Sequence, residues 1–325
     1  MVTDRRRLYD LGEFGFIARV RRLVASRDDV EVGIGDDCAV ARVGRRRLLL
    51  TTDALVEGVH FRRSWDQPAG LGRRAFTVNA SDVAAMGGRP RYALLSLAAP
   101  KTALSDDVTA MVRGFVKAAS AHGCALIGGN LAAAPRWIIS VTLVGEPCGE
   151  PLLRSGARAG DLVYVSGTLG GAAYAREILL GRRSGNQAAT LPFRRPIARL
   201  ALGAALARAR AASAAIDVSD GLLQDLQHVC EASGVGAVVD ASRLPCARSL
   251  RRLTPEKRLA HALAGGEDYE LVFTVRRAQA DGLPRLCAGT PIACIGAIVP
   301  GAKVRVVGAD GSGARLARGF DHFRR

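Results

Sequence analysis

Gly33-Ile34-Gly35-Asp36-Asp37, answered a hairpin later by Thr51-Thr52-Asp53, is the stretch on which the fold turns. An apolar run, Val30 to Ile34, ends in two adjacent carboxylates. Cys38 to Val43 then has strand character, Gly44-Arg45 forms a turn, and Leu48 to Thr52 is a second strand that delivers Asp53. Such a hairpin carries Asp37 towards Thr51, Thr52 and Asp53 at one rim of a sheet. Carboxylates gathered there repel one another unless positive charge lies between them. Two readings stand: a hard cation with oxygen ligands, Mg²⁺ with a phosphate substrate being the usual case, or acids that cap turns and face water.

Further along the chain, acids recur at similar positions. Leu71 to Met86 has helical spacing, with Leu71, Ala75, Val78, Ala85 and Met86 as its inner stripe. Asp82 falls on that stripe with Asn79 beside it, so it needs a metal or an arginine as partner. Gly87-Gly88 stops the helix. Tyr92 to Ala98 reads as a strand, Asp106 to Ala121 as a helix, Ala125 to Ile127 as a strand running into Gly128-Gly129-Asn130, and Trp137 to Gly145 as a strand. An earlier helix is expected over Leu11 to Arg22. The pattern breaks near Pro147 to Pro151, which divides the chain into 1–148 and 149–325.

In the second half, the strand Leu162 to Val165 runs into Ser166-Gly167-Thr168-Leu169-Gly170-Gly171 before a helix opening at Ala172. Small residues at a helix N-terminus either cradle an anion or simply turn the chain. Ala214 to Val218 is a strand entering Asp217-Val218-Ser219-Asp220-Gly221. Asp220 has an alternative role as the cap of the following helix, Leu222 to Ala232. Asp217, at the end of an apolar strand, has none. Gly265-Gly266-Glu267-Asp268 precedes the strand Tyr269 to Val275, and weaker strands follow at Ile292 to Ile298 and Val304 to Val307.

Composition narrows the class. The 325 residues are 49% hydrophobic, enough for two cores. No apolar run nears the ~20 residues of a membrane span, and the N-terminus has no signal-peptide core, so a cytoplasmic protein is expected. Seven scattered cysteines without a Cys-x-x-Cys argue for reduced, buried thiols. The net charge of +16 is almost entirely arginine, only four lysines being present, and the arginines are spread along the chain. With five tyrosines and two tryptophans available for stacking, this favours a field that attracts small phosphorylated molecules over a nucleic-acid surface.

Taken in order, Gly12-Glu13-Phe14, Gly33 to Asp37, Thr51-Thr52-Asp53, His60-Phe61 and Asn79 to Gly87 resemble the blocks of the thiamine-monophosphate kinase family. So do Ile127 to Gly129, Arg154-Ser155-Gly156, Ile216 to Gly221, Gly265 to Leu271 and Phe320 to Phe323. The set spans nearly the whole chain. The resemblance implies an α/β (α+β) protein with the two-domain aminoimidazole-ribonucleotide synthetase-like fold, a homodimer formed through the N-terminal sheet domain, and ATP with several Mg²⁺ ions between the domains. It implies transfer of the γ-phosphoryl of ATP to thiamine monophosphate, giving thiamine diphosphate, with no nucleic-acid or membrane partner.

Position by position, the resemblance gives Asp37, Thr51, Thr52, Asp53, Asp82, Asn130, Asp217 and Asp220 to the metals. It gives Gly129, Asn130, Arg154 and Ser219 to ATP, and His60, Glu267 and Phe320 to thiamine monophosphate. Asp53, Asp217 and Arg154 would act electrostatically. A phosphate acceptor is already ionised, so no nucleophilic or general-base residue is required. Two positions depart from the family pattern: Asn130 stands where an aspartate is usual, and Ala317 where an aromatic packs on thiamine, Phe320 being the nearest aromatic. These departures motivate an alternative, a non-catalytic or altered-substrate ATP-binding paralogue. Selenophosphate synthetase is disfavoured because no cysteine precedes Cys38 and no lysine precedes Lys101, and the hydrogenase-maturation relative because the chain ends Phe323-Arg324-Arg325.

Overall fold

The computed structural model describes residues 7–287 and 289–308. It begins with α1 (Leu8–Arg21), then β1 (Val30–Val32), β2 (Ala39–Val43) and β3 (Arg46–Val56), α2 (Pro68–Ala85), β4 (Gly88–Ala99), α3 (Ser105–Ala121), β5 (Ala125–Ala133) and β6 (Ile138–Pro147). The second half holds β7 (Leu162–Ser166), α4 (Gly171–Leu179), α5 (Gln187–Arg194), α6 (Leu200–Ala209), β8 (Ala214–Asp217), α7 (Leu222–Ser233) and β9 (Gly236–Asp240). It closes with α8 (Pro255–Ala264), β10 (Leu271–Val275), α9 (Leu283–Leu286), β11 (Ile292–Val299) and β12 (Val304–Val307).

Two six-stranded sheets result, ordered β1-β2-β3-β6-β4-β5 and β12-β9-β11-β7-β10-β8. Pairing is antiparallel except for β4 with β5 and β9 with β12. The expected hairpin is present, with Ala39 opposite Leu50 and Val43 opposite Arg46. On β4 and β6, alternate residues (Ala93, Leu95, Leu97; Ile139, Val141, Leu143) are buried, as a sheet covered on one face requires. Tyr92 and Leu94 on the other face are 46% and 44% exposed.

The helix α2 joins the two halves. It is buried almost all round, the signature of a helix inside a protein. Two neighbours approach its backbone so closely that only glycine fits. A Cβ on Gly72 would stand 1.9 Å from the Met111 carbonyl oxygen of α3, and one on Gly203 of α6 would stand 1.9 Å from that of Ala84. One core cluster therefore runs from Leu49 and Val83 through Leu206 to Phe273, while a second lies within the C-terminal half around Val165, Leu226 and Ile295.

Three expectations need correction. The first helix starts at Leu8 and is broken at Gly12 (φ 68°, ψ 173°). The strand expected over Ala125 to Ile127 continues to Ala133, so Gly128, Gly129 and Asn130 lie within it. Gly129 permits this, because a Cβ there would stand 1.9 Å from the Leu95 carbonyl oxygen of the paired strand. The N-cap of α7 is Gly221, with no side chain capping it, and Asp225 accepts from the Asp220 and Gly221 amides at 3.1 and 3.0 Å. Asp220 is thereby free of the capping role. All seven cysteines are free thiols, and among the described residues no helix is long and apolar enough to cross a membrane.

Candidate active site

The turn after β1, the N-terminal end of the hairpin, the inner face of α2 and the end of β8 converge where the two sheets meet. Asp37, its side chain 1% exposed, accepts from Arg154 Nη2 at 2.5 Å and Nε at 3.1 Å, both through Oδ1. Its other oxygen is buried without a partner. The Asp36 carboxylate accepts from the Arg154 backbone amide at 3.1 Å. Thr51 Oγ1 donates to Asp82 at 2.6 Å, and Ser81 Oγ donates to Asp217 at 2.6 Å. A strand of the first sheet, the central helix and a strand of the second sheet are thus joined by carboxylate hydrogen bonds.

These acids share more negative charge than their protein partners neutralise. Burial, then the Asp37 charge, lifts Asp217 to about 7. Burial, then Asp217 and Asp37, holds Asp82 well above the carboxylate range. Asp36 rises to about 6 through burial and Asp37, and Asp220 to about 7 through burial, Glu13 and Glu267. Burial alone would lower Arg154, but Asp37, Asp36 and Asp217 reverse this and drive it upward. Asp53 is exposed at the rim, where it contributes to the fields at Asp82 and Asp220.

Mg²⁺ fits this chemistry. The donors are all oxygens, one of them orphaned, and Asn79 Oδ1 beside them is also buried without a partner. Among the described residues no three His, Cys, Asp or Glu side chains form a closed cage. Mg²⁺ requires no such cage, since it keeps waters and is bound through one or two carboxylates together with substrate phosphates.

Beside the cluster opens a cleft of about 580 Å³, whose walls include His60, Ser219, Asp220, Glu267, Tyr269 and Phe193. Glu267 sits on a strained strap, since it and Tyr269 both have left-handed backbones (φ 72° and 52°). The Glu267 amide donates to the Ser219 carbonyl and the Tyr269 amide to that of Val218, at 2.7 and 2.8 Å. Between them, Asp268 turns away and accepts from the Gly170 and Ala172 amides at 2.6 and 3.1 Å. The glycine loop before α4 is therefore filled by the protein's own carboxylate. His60 Nδ1 accepts from the Val56 amide at 3.0 Å, which leaves Nε2 as the N–H of the neutral ring.

The sheet register separates the remaining residues. Thr51 and Asp53 pair with Leu143 and Val141, the buried face, whereas Thr52 pairs with Thr142 on the opposite face. Thr52 Oγ1 donates to the Val141 carbonyl at 3.0 Å. Asn130 lies in the row Ala54–Ser140–Ser96–Asn130, on the same face as Thr52 and at the far edge. At about 4.8 Å per strand it stands about 14 Å across the sheet from β3. Asp37, Thr51, Asp53, Asp82, Asp217, Asp220 and Arg154 are brought together; the side chains of Thr52 and Asn130 are not. Gly129 shares the row of Asp53 at the edge strand. Phe320 and Ala317 lie outside the described residues.

Sequence reasoning passed over Ser81, Asp225, Asp268 and Arg74. The first three are small or acidic residues one to five positions from the acids already singled out, a signal that was available. Arg74, 2% exposed in the middle of an apolar helix, gave only its charge at a buried position.

The family described as AIR synthase related protein matches this chain twice, its N-terminal domain over residues 35–146 and its C-terminal domain over 158–309. Thiamine-monophosphate kinase of Escherichia coli (strain K12) is 38% identical over 332 residues, covering 96% of this chain and 98% of that protein. The Bacillus subtilis (strain 168) enzyme is 33% identical, covering 97% and 100%. Among solved structures, AaThiL complexed with AMPPCP and TMP superposes with a TM-score of 0.86 at 35% identity, over 98% of this chain and 100% of that one. The Stenotrophomonas maltophilia K279a kinase gives 0.76 at 40%, over 94% and 98%. E. coli HypE, a hydrogenase maturation protein, shares the fold at 23% identity, with a TM-score of 0.73 over 85% and 89%. With both domains matched and identity sustained from end to end, the chain belongs to the thiamine-monophosphate kinase family.

Proposed function

We propose that this protein transfers the γ-phosphoryl group of ATP to thiamine monophosphate, giving thiamine diphosphate and ADP. The observation that carries this reading is the oxygen-only cluster of Asp37, Asp82 and Asp217, drawn from the first-sheet turn, the central helix and the second sheet, with Asp220, which acts on Asp217, on the wall of the 580 Å³ cleft. Asp37, Asp53, Asp82, Asp217 and Asp220, with Thr51, are the residues we assign to Mg²⁺. Bound there, the metal supplies charge neutralisation for the phosphates of both substrates. Arg154, already in the cluster, is placed to move onto phosphate oxygens, where its fork stabilises charge on the group in flight. Ser219 borders the nucleotide side, and Glu267 and His60 the acceptor side. A carboxylate such as Glu267 suits the cationic thiazolium ring, and His60 Nε2–H can donate to the acceptor. The acceptor oxygen is ionised before reaction, so no residue need remove a proton. Thr52, Gly129 and Asn130 are left outside this set within one protomer.

We also assign residues 1–148 and 149–325 to two domains, because the last strand of one sheet ends at Pro147 and the first of the other begins at Leu162. We infer a homodimer in which a second copy covers the outer face of the first sheet, where Tyr92 and Leu94 are half exposed beside Leu50 and Val144. Seven free thiols suit a reducing cytoplasm.

The test is to mix the purified protein with ATP, Mg²⁺ and thiamine monophosphate and follow thiamine diphosphate and ADP by chromatography, with free thiamine in parallel. Equal amounts of both products from the monophosphate alone are expected. ATP binding without product would overturn the catalytic reading, and a monomeric mass by light scattering would overturn the dimer.

A further inference from the structure

Arg74 lies on the central helix with 2% of its surface exposed, yet its guanidinium contacts three residues that line the cleft, Glu267, His60 and Phe193. Its Nη2 is ion-paired with Glu267 on the C-terminal strap. Its Nη1 donates to the His60 carbonyl oxygen, 3.1 Å away, on the loop that leaves the first sheet. Its Cζ stands 4.2 Å from the centroid of Phe193, which lines the cleft from α5. Burial excludes direct contact between the guanidinium and a ligand. The charge is therefore spent inside the protein, on holding three separate chain segments in register.

Resting on the reading that His60 and Glu267 hold thiamine monophosphate, we propose that Arg74 is the positioning residue for the acceptor. It fixes both groups relative to each other and to the metal cluster. Three physical points support this. The Glu267 carboxylate is fixed by the ion pair together with Tyr269 Oη, which donates to it at 3.2 Å. A planar guanidinium engages a carboxylate, a carbonyl and an aromatic face at once, whereas an ammonium ion has no comparable plane. Finally, Arg74 and Asp82 lie about two turns apart on one rigid helix, about 12 Å along its axis. The helix α2 thus acts as a gauge between the acceptor pocket and the phosphoryl-transfer cluster.

The experiment compares Arg74→Met and Arg74→Lys with the unaltered protein. It varies thiamine monophosphate at saturating Mg-ATP and ATP at saturating acceptor, and measures binding of a non-hydrolysable ATP analogue and melting temperature. Misplacement of a bound group by about 1 Å costs up to about 100-fold. Arg74→Met should therefore lower kcat/KM for the acceptor by about tenfold or more. Analogue affinity should stay within about twofold, because Asp37, Asp82 and Asp217 are untouched. Arg74→Lys should recover part of the loss, and Glu267→Gln combined with Arg74→Met should be less than additive, since the two act through one contact. A matching loss of analogue affinity would make Arg74 merely structural and overturn the inference, as would an unchanged kcat/KM for the acceptor. If Arg74→Met does not fold, Phe193→Leu, which removes only the face under the guanidinium, reads the same split between acceptor and nucleotide. No turnover by the unaltered protein would remove the kinase reading and this inference together; turnover with an unaffected Arg74→Met would remove the inference alone.

Discussion

Replacing Asp217 by asparagine should make the ligand-free protein more stable and the enzyme inactive. Asp217 is 3% exposed, and burial together with Asp37 lifts it from its ordinary 3.8 to about 7. At about 1.4 kcal/mol for each tenfold, ionising it in place costs about 4 kcal/mol. A raised carboxyl stabilises the fold fully below its unfolded value and loses that contribution as pH climbs through its folded value. At pH 8 the wild type bears this whole cost, and at pH 5, about one unit above the unfolded value, it bears about a third of it. Asparagine keeps an acceptor for Ser81 and removes the charge. For 325 residues, at about 2 cal/mol/K each, 4 kcal/mol is about 6 °C, and relaxation around the site brings the expected gain to about 3–6 °C. The assay is thermal unfolding in EDTA at pH 5 and pH 8, with thiamine diphosphate formation in parallel. The gain should be full at pH 8 and fall to about a third at pH 5, while turnover falls by about 1000-fold or more. A variant that is equally destabilised at both pH values would show that the cluster does not repel itself, and the metal argument would lose its basis.

Asp53→Ala should abolish turnover yet shift the melting temperature by less than about 2 °C, since the side chain is exposed; near-normal activity would remove Asp53 from the metal set. Arg154→Gln should bind Mn²⁺ more tightly without nucleotide, because Asp37 loses its competing partner, and bind Mg-ATP more weakly. Titration by electron paramagnetic resonance and calorimetry checks the pair, and a weakened metal affinity would contradict it. Gly129→Ala forces a methyl group to within 1.9 Å of the Leu95 carbonyl oxygen unless β5 shifts. A loss of about 2–3 kcal/mol, the usual cost of overpacking, should appear in urea unfolding, and no loss would mean the edge strand yields freely.

Much of the fold was legible because local chemistry and tertiary structure agree in the hairpin, in α2 and in the strand that ends at Asp217. The errors fall where they disagree. Gly128-Gly129-Asn130 has the composition of a turn, and only the Leu95 carbonyl pressing on Gly129 shows why glycine is needed inside a strand. Asp220 looked like a cap because capping is short-range, but the N-cap falls one residue later, at Gly221, and Asp225 from the next turn takes the Asp220 and Gly221 amides. For the site, the acids at strand ends could be found by position alone. The face on which Thr52 and Asn130 stand could not, because it depends on cross-strand register. The role of Arg74 was equally hidden, since Glu267 lies 193 positions away.

The guanidinium of Arg154 gives the resting cluster its own resident counter-ion. Loading the Mg²⁺ we propose would then be an exchange reaction, in which a tethered cation leaves Asp37 as a free one arrives. The metal affinity would be a difference between two attractions, lower than the number of carboxylates suggests. The displaced arginine would remain within reach of the incoming phosphates. The group that guards the empty site against self-repulsion is thus released for service when that duty ends.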